Sequence, residues 1–283
     1  TKPVSFYLFD KQKKKLNPWY GQYPNLKKLS LARVQPFYFK ARDGMKLNGY
    51  LTLPENVENP PVVLFPHGGP RARDSQYFDP FVQMFASRGY AVLQVNYRGS
   101  TGFGNDYKTA GYLQWGKKMQ TDLLDALDWV AEKKLANTNK ACIVGASYGG
   151  YAALVAGYQT PKRFKCIASI AGVADLTTQI DQWKRWGLKE YVSNTVSTDI
   201  KEQKLLSPVE HADKFIAPVL LIHGKADTRV SFYQSEAMFN ALEKADKKVT
   251  YELFDYGTHH LNDAENLRRT MVLLDDFLAD NLG

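Results

Sequence analysis

The sequence predicts an α/β protein built on a mostly parallel sheet with helices on both faces, and two observations carry that prediction. Short apolar runs recur along the chain, and most of the later ones are continuous, as strands buried on both faces require. Between them lie segments whose apolar residues share one helical face. Such alternation implies an open sheet, in which functional residues gather on loops at the carboxyl ends of strands.

In chain order, VSFYLFD near the N-terminus alternates, KQKKK (Lys11–Lys15) reads as a solvated turn, and LNPWYG after it is turn-like. Strands are then expected at 36–41 (PFYFKA), 47–53 (LNGYLTL), 62–66 (VVLFP), 90–95 (YAVLQV), 141–146 (ACIVGA), 166–172 (CIASIAG), 219–224 (VLLIHG) and 249–255 (VTYELFD). Met119, Leu123, Leu124, Leu127 and Val130 mark one helix, and Phe232, Met238, Phe239 and Leu242 another. The last helix is expected to start with Asn262 as N-cap and Glu265 three residues on, turning Leu267, Met271, Leu274 and Leu278 to the core.

At 283 residues the chain can bury a sizeable core, and its 44% hydrophobic and 23% charged content is that of an ordinary globular protein. No apolar run approaches the roughly 20 residues that span a bilayer, so no membrane partner is expected. No signal peptide is recognisable, but the chain starts at Thr1 rather than Met, so a leader can be missing from it; a cytoplasmic location is the expectation. The net charge of +8 is local: residues 1–50 hold 11 Lys/Arg against 2 Asp/Glu, and the remainder 26 against 27. That confines the basic excess to an N-terminal arm, and without a helix-turn-helix, finger or aromatic RNA-binding pattern no nucleic-acid role is expected. Cys142 and Cys166 sit in apolar runs and read as buried free thiols, since two cysteines make no disulfide framework.

The strongest chemical signal is GASYGGY at 145–151. It follows the strand ACIV and leads into the small, helix-forming run AALVAGY. A serine at the apex of a tight strand-to-helix turn needs neighbours without bulk, and Gly145 and Gly149 flank Ser147 at two positions either side. This is the nucleophile-elbow pattern, with the helix N-terminus facing the developing negative charge. Such a serine needs a base within hydrogen-bond reach and a carboxylate to orient it, in the chain order Ser, acid, His. Asp175 and Asp227 both follow buried strands and are the acid candidates. His259 and His260, after the final strand, are the base candidates. His67 comes too early in that order, and His211 reads as a surface residue. Adjacent histidines do not converge on one ion, so no metal is expected, and the chemistry calls for no cofactor.

These segments together resemble the prolyl oligopeptidase family of serine peptidases, in particular its acylaminoacyl-peptidase-like branch. The matching stretches are ARDGMKLNGYLTLP (41–54), HGGP (67–70), NYRGSTGFG (96–104), GASYGGYAAL (145–154), APVLLIHGKADTRV (217–230) and GTHHL (257–261), covering roughly residues 36–283. The resemblance implies an α/β-hydrolase catalytic domain over 36–283, with residues 1–35 as an arm or linker whose SFYLFDKQKKKL is similar to a terminal propeller strand pair. It implies Ser147 as nucleophile, Asp227 as the orienting acid and Asp175 as a near-site residue. His259 falls at the base position and His260 where glycine is usual, with Thr258 likewise replacing a glycine. The oxyanion donors would be the N–H of Tyr148, next to the nucleophile, and, by the resemblance, that of Gly69 in HGGP. His67 is expected to shape that loop, and Arg98 in NYRGSTGFG to be structural.

The implied function is hydrolysis of short or N-acylated peptides through an acyl-enzyme. A carboxylesterase with the same triad is the alternative, and a non-catalytic binding or assembly module the third reading. Trp183, Trp186 and Tyr191 are expected either to wall an apolar acyl pocket or to pack surface helices. The family's propeller has no room in this chain, so either a catalytic-domain fragment of a longer protein, the favoured reading, or a member that has lost the propeller is expected, with the strand VSFYLF free to pair with another chain.

Overall fold

The structure is a computed structural model that describes residues 2–283, apart from the side chain of Lys27. An isolated antiparallel hairpin, β1 (Ser5–Asp10) and β2 (Lys15–Gly21), comes first. Its turn is the lysine run, held by the Asp10 carboxylate accepting from the N–H groups of Gln12 and Lys13. Phe6, Tyr7, Leu8, Phe9, Leu16, Trp19 and Tyr20 are exposed, since the two strands pair only with each other.

The eight expected strands all form, as β3 (Val34–Lys40), β4 (Lys46–Thr52), β5 (Pro61–Leu64), β6 (Ala91–Asn96), β7 (Asn137–Ala146), β8 (Cys166–Ile170), β9 (Val219–Gly224) and β10 (Val249–Phe254). They make one sheet in the order β10-β9-β8-β7-β5-β6-β4-β3. The first six in that order run parallel, and β4 and β3 extend it antiparallel. The helices are α1 (Pro80–Ser87), α2 (Asn105–Thr109), α3 (Lys118–Glu132), α4 (Tyr148–Gln159), α5 (Leu176–Arg185), α6 (Lys189–Thr195), α7 (Ile200–Leu205), α8 (Tyr233–Lys244) and α9 (Ala264–Leu282).

Period-two alternation along the buried strands divides the core. Val62 and Leu64 of β5 face one side with α3, α4 and α8, while Val63 faces the other with α1 and α9. Met119, Leu123, Leu127 and Val130 of α3 are buried as expected, with Leu124 partly so. The last helix differs in two respects. Its N-cap is Asp263, whose carboxylate accepts from the Asn266 N–H at 3.0 Å, rather than Asn262. Leu274 and Leu278 reach the core, but Leu267 and Met271 line a cavity of about 800 Å³ between α1, α9 and the linker around Tyr23.

A second difference concerns the cysteines. Cys142 and Cys166 are not free thiols but are joined in a disulfide. They are directly opposed in the parallel pair β7–β8, with Cα atoms 4.7 Å apart, within the bridging range. A count of two excludes a framework but not a single bond set by register.

Arg98, in the loop after β6, is structural, as expected. Its guanidinium bonds both oxygens of Asp122 at 2.8 and 2.6 Å and reaches Asp43 at 2.8 Å. Burial pushes the Asp122 carboxyl up, against the pull of the arginine, while Asp43 is held low by Arg98 and Lys118. Removing one partner of a buried ion pair strands the other, which costs about 3–5 kcal/mol. Arg98→Met is therefore expected to lower the urea midpoint with its slope unchanged; a loss under about 1 kcal/mol, the size of a surface pair, would contradict it.

Candidate active site

Ser147 stands between β7 and α4 with φ +58° and ψ −120°, a strained conformation for a residue with a β-carbon. Its N–H donates to the Ile170 carbonyl of β8 at 2.8 Å, and its carbonyl accepts from Tyr151 in the first turn of α4. The flanking glycines are sterically required. A Cβ on Gly145 would lie 2.2 Å from the Gly149 oxygen, and one on Gly149 would lie 2.2 Å from the Pro66 oxygen. Strand, helix and the segment before HGGP therefore meet at backbone contact, as the elbow pattern predicts.

The HGGP loop crosses the serine. A Cβ on Gly68 would sit 3.4 Å from Ser147 Cβ and 4.0 Å from Oγ, and Gly69 turns away at φ +121° into a cis peptide with Pro70. Among the described residues, neither the Gly68 nor the Gly69 N–H donates within the turn and loop hydrogen bonds. The Tyr148 N–H is the first of α4, where no intrahelical acceptor exists. Beneath the loop, His67 stacks on Tyr97 at 4.3 Å, and the Tyr97 hydroxyl donates to the His67 carbonyl at 2.7 Å. His67 Nε2 lies 2.9 Å from Ser100 Oγ. NYRGS thus forms the floor under HGGP, and His67 shapes the loop.

Asp227 and His259 arrive on the loops after neighbouring parallel strands. Asp227 lies in the loop after β9 and His259 in the loop after β10, and a Cβ on Gly224 would meet the Gly257 oxygen at 2.2 Å. The two loops therefore lie in contact. His259 Nδ1 donates to Asp227 Oδ2 at 2.6 Å. The other carboxylate oxygen accepts from the N–H groups of Arg229 at 2.8 Å and Val230 at 3.0 Å. Burial pushes the Asp227 carboxyl up, but hydrogen bonds from His223, His259 and the Val230 N–H outweigh it and hold the group well below the usual carboxylate range. It is an ionised, fixed acceptor.

Sequence reasoning assigns no role to His223, which it reads as preceding Asp227 in the same loop. It is fully buried, with Nε2 3.2 Å from Asp227 Oδ2 and 3.0 Å from the Val230 carbonyl, and Nδ1 2.7 Å from Ser235 Oγ. Nε2 faces two acceptors and so carries the proton. His223 thus bonds the same oxygen as His259 and positions the acid from behind. The only available sequence signal was a histidine four residues before the acid.

His260 is exposed and edge-on to His259, with ring centroids 5.4 Å apart. Burial and the neighbouring His259 and Arg229 push its pKa down. It makes no hydrogen bond to Asp227 or Ser147 among the described residues. Asp175, the other acid candidate, instead N-caps α5, accepting from the Thr177 N–H at 2.8 Å. His211 packs on Tyr158 at 4.3 Å, away from the site.

Ser147, His259, His260, Gly68, Gly69 and Arg229 line one cavity of about 810 Å³, with Trp183, Trp186, Leu188 and Tyr191 forming an aromatic and aliphatic wall. Those aromatics line the cavity, and Trp183 also packs edge-on to Trp115 and Tyr191, joining α5 to its neighbours. Ser147 Oγ makes no hydrogen bond within the described chain, and in sites of this kind the serine–base contact commonly tightens only with substrate. The arrangement holds a strained serine, an oriented imidazole and free backbone donors around one space.

His67 carries a pH signature. Burial lowers its pKa from 6.5 to about 4. Between those values the unfolded chain binds the proton and the native one does not, so stability should rise with pH across that window. The fall in urea midpoint from pH 7 to pH 4.5 is expected to shrink in His67→Gln; an identical fall in both proteins would contradict the burial effect.

Comparison with known proteins gives concordant matches. The model of the prolyl oligopeptidase family matches residues 76–283. The dipeptidyl aminopeptidase BIII of Pseudoxanthomonas mexicana is 34% identical over 297 residues, covering 99% of this chain and 43% of that protein. Among solved structures, a puromycin-hydrolyzing peptidase of Mycobacterium tuberculosis superposes with a TM-score of 0.90 at 29% identity, over 99% of this chain and 44% of that one. An acylaminoacyl peptidase of Pyrococcus horikoshii does so at 0.88 and 27% identity, over 100% and 47%. The chain spans less than half the length of each of these three.

Proposed function

Because this chain belongs to the prolyl oligopeptidase family of serine peptidases, we propose that it cleaves short peptides at Ser147 through an acyl-enzyme. The observation that carries this reading is the 2.6 Å bond from His259 Nδ1 to a buried, ionised Asp227, on the same cavity as a strained Ser147.

In this reading His259 Nε2 removes the Ser147 hydroxyl proton as Oγ adds to the scissile carbonyl. Asp227 keeps the ring in the Nδ1–H tautomer and stabilises the imidazolium. The oxyanion takes the N–H groups of Tyr148 and Gly69, and losing one such donor costs on the order of 10²–10³ in turnover. The imidazolium then protonates the leaving amine, the C–N bond breaks, and the acyl group stays on Oγ. Water gives its proton to His259, adds to the ester and releases the acid, restoring Ser147.

Among the described residues lining the cavity there is no Asp or Glu, so this chain's own site offers no partner for a free α-ammonium. That supports substrates with a blocked N-terminus. Two measurements test the reading. Ser147 should be labelled by a fluorophosphonate, and acetyl-aminoacyl anilides should be turned over at rates at least comparable to short-chain esters at matched concentration. Turnover confined to the esters would overturn the peptide assignment in favour of a carboxylesterase.

A further inference from the structure

We propose that Arg71 selects substrates with an acidic side chain next to the scissile carbonyl, pairing its guanidinium with that carboxylate at the cavity rim. This deepens the peptidase reading above and rests on it.

Position comes first. Arg71 follows HGGP directly, two residues after Gly69, and the loop there is tight: a Cβ on Gly69 would lie 2.7 Å from the Arg71 nitrogen. The arginine is thereby fixed relative to the expected oxyanion donor, and it lines the cavity that holds Ser147 and His259.

Its side chain is held without being neutralised. The guanidinium lies 5.1 Å from the Tyr112 ring centroid and 4.8 Å from that of Tyr191. Contacts through the faces of a planar cation leave its edge N–H donors available for a bidentate carboxylate. No Asp or Glu lies within ion-pair distance of it among the described residues, whereas Arg42, Arg88 and Arg98 each rest on an aspartate. A cation placed on aromatic rings at a cavity mouth and left unpaired is arranged to meet an anion that comes from outside.

The cavity supports the same sign. Arg71 and Arg229 both line it and no carboxylate does, so the field inside favours negative charge. The wall also has the right grain. Tyr191 packs edge-on to Trp183 at 5.8 Å, and Trp183 lines the cavity beside Trp186 and Leu188. A glutamate side chain can lay its methylenes on these rings and end at the guanidinium.

The test compares N-acetyl-Glu-p-nitroanilide with N-acetyl-Gln-p-nitroanilide, which differ by the charge alone. The kcat/KM ratio of Glu to Gln is expected to fall about tenfold in Arg71→Gln, the weaker end of a charge-assisted hydrogen bond. Arg71→Lys should retain part of the preference, and added salt should weaken it. An unchanged ratio in Arg71→Gln overturns the proposal. A second pair, N-acetyl-Gln-Ala with a free or an amidated C-terminus, separates the sources of carboxylate. If Arg71→Gln alters only that second preference, the side-chain assignment is overturned. Binding is read independently of turnover in Ser147→Ala, through quenching of tryptophan fluorescence by the nitroanilide, since Trp183 and Trp186 line the cavity. Tighter binding of the Glu compound that Arg71→Gln abolishes supports the proposal even if hydrolysis fails, and equal affinities reject it.

Discussion

Replacing Ser147 with alanine is expected to lower turnover by up to ~10⁶-fold, the loss seen where a triad nucleophile is removed. The structure gives this variant a clean interpretation. Ser147 Oγ makes no internal hydrogen bond among the described residues, and the strain at φ +58° is in the backbone, which alanine shares. The elbow's close contacts run through Gly145 and Gly149, which the substitution leaves alone. The thermal midpoint should therefore stay close to that of the parent while fluorophosphonate labelling disappears. Substantial turnover by the pure variant would remove Ser147 from the mechanism.

Asp227→Asn is expected to have the next largest effect, a fall of about 10⁴-fold in kcat if the triad precedent holds. Oδ2 accepts from both His259 and His223, and Oδ1 accepts from two backbone N–H groups. An amide keeps the shape but can accept through one oxygen only. If that oxygen stays on the Arg229 and Val230 N–H groups, the NH₂ faces His259 and demands the Nδ1 lone pair. The ring then carries its proton on Nε2, where it cannot take one from Ser147. Asp175→Asn provides the contrast, because that carboxylate caps α5, where an asparagine oxygen accepts the same N–H groups, so both activity and stability should stay close to those of the parent. A kcat for Asp227→Asn within tenfold of the parent, or a collapse confined to Asp175→Asn, would reverse the assignment of the acid.

Much of the site was legible because its determinants are local. Small residues two positions either side of a serine announce a turn that only glycine can make, and the backbone contacts at Gly145 and Gly149, too close for any Cβ, are the physical form of that rule. HGKADTRV and GTHHL lie at the carboxyl ends of the neighbouring parallel strands β9 and β10, so their polar groups had to emerge at the same sheet edge. Other features depended on pairings that no segment contains. The disulfide required β7 and β8 to lie side by side in the register that sets Cys142 against Cys166. The role of His223 needed the Asp227 loop to fold back over the end of its own strand, so that a histidine in an apolar run faces a carboxylate. Leu267 and Met271 kept their helical spacing, but the linker stands off from α9 and leaves them on a cavity rather than in the core.

The sequence by itself determined the α/β class, the eight strands of the main sheet, the elbow and the order in which Ser147, Asp227 and His259 follow one another. The class, the strands and the elbow rest on side-chain periodicity and on the conformations open to glycine, which act over a few residues; the choice of Asp227 and His259 rests on the resemblance of their motifs to the family's. The tertiary structure alone decided the strand order, the pairing of Cys142 with Cys166, the place of His223 behind Asp227, and the union of Trp183 and Tyr191 with the cavity that holds Ser147. Those outcomes depend on which loops the sheet brings into contact across tens of residues. Two adjacent histidines have the same local chemistry; the family resemblance put His259 at the base position, and with the two loops in contact at Gly224 and Gly257 it is His259 that bonds Asp227 while His260 stays exposed.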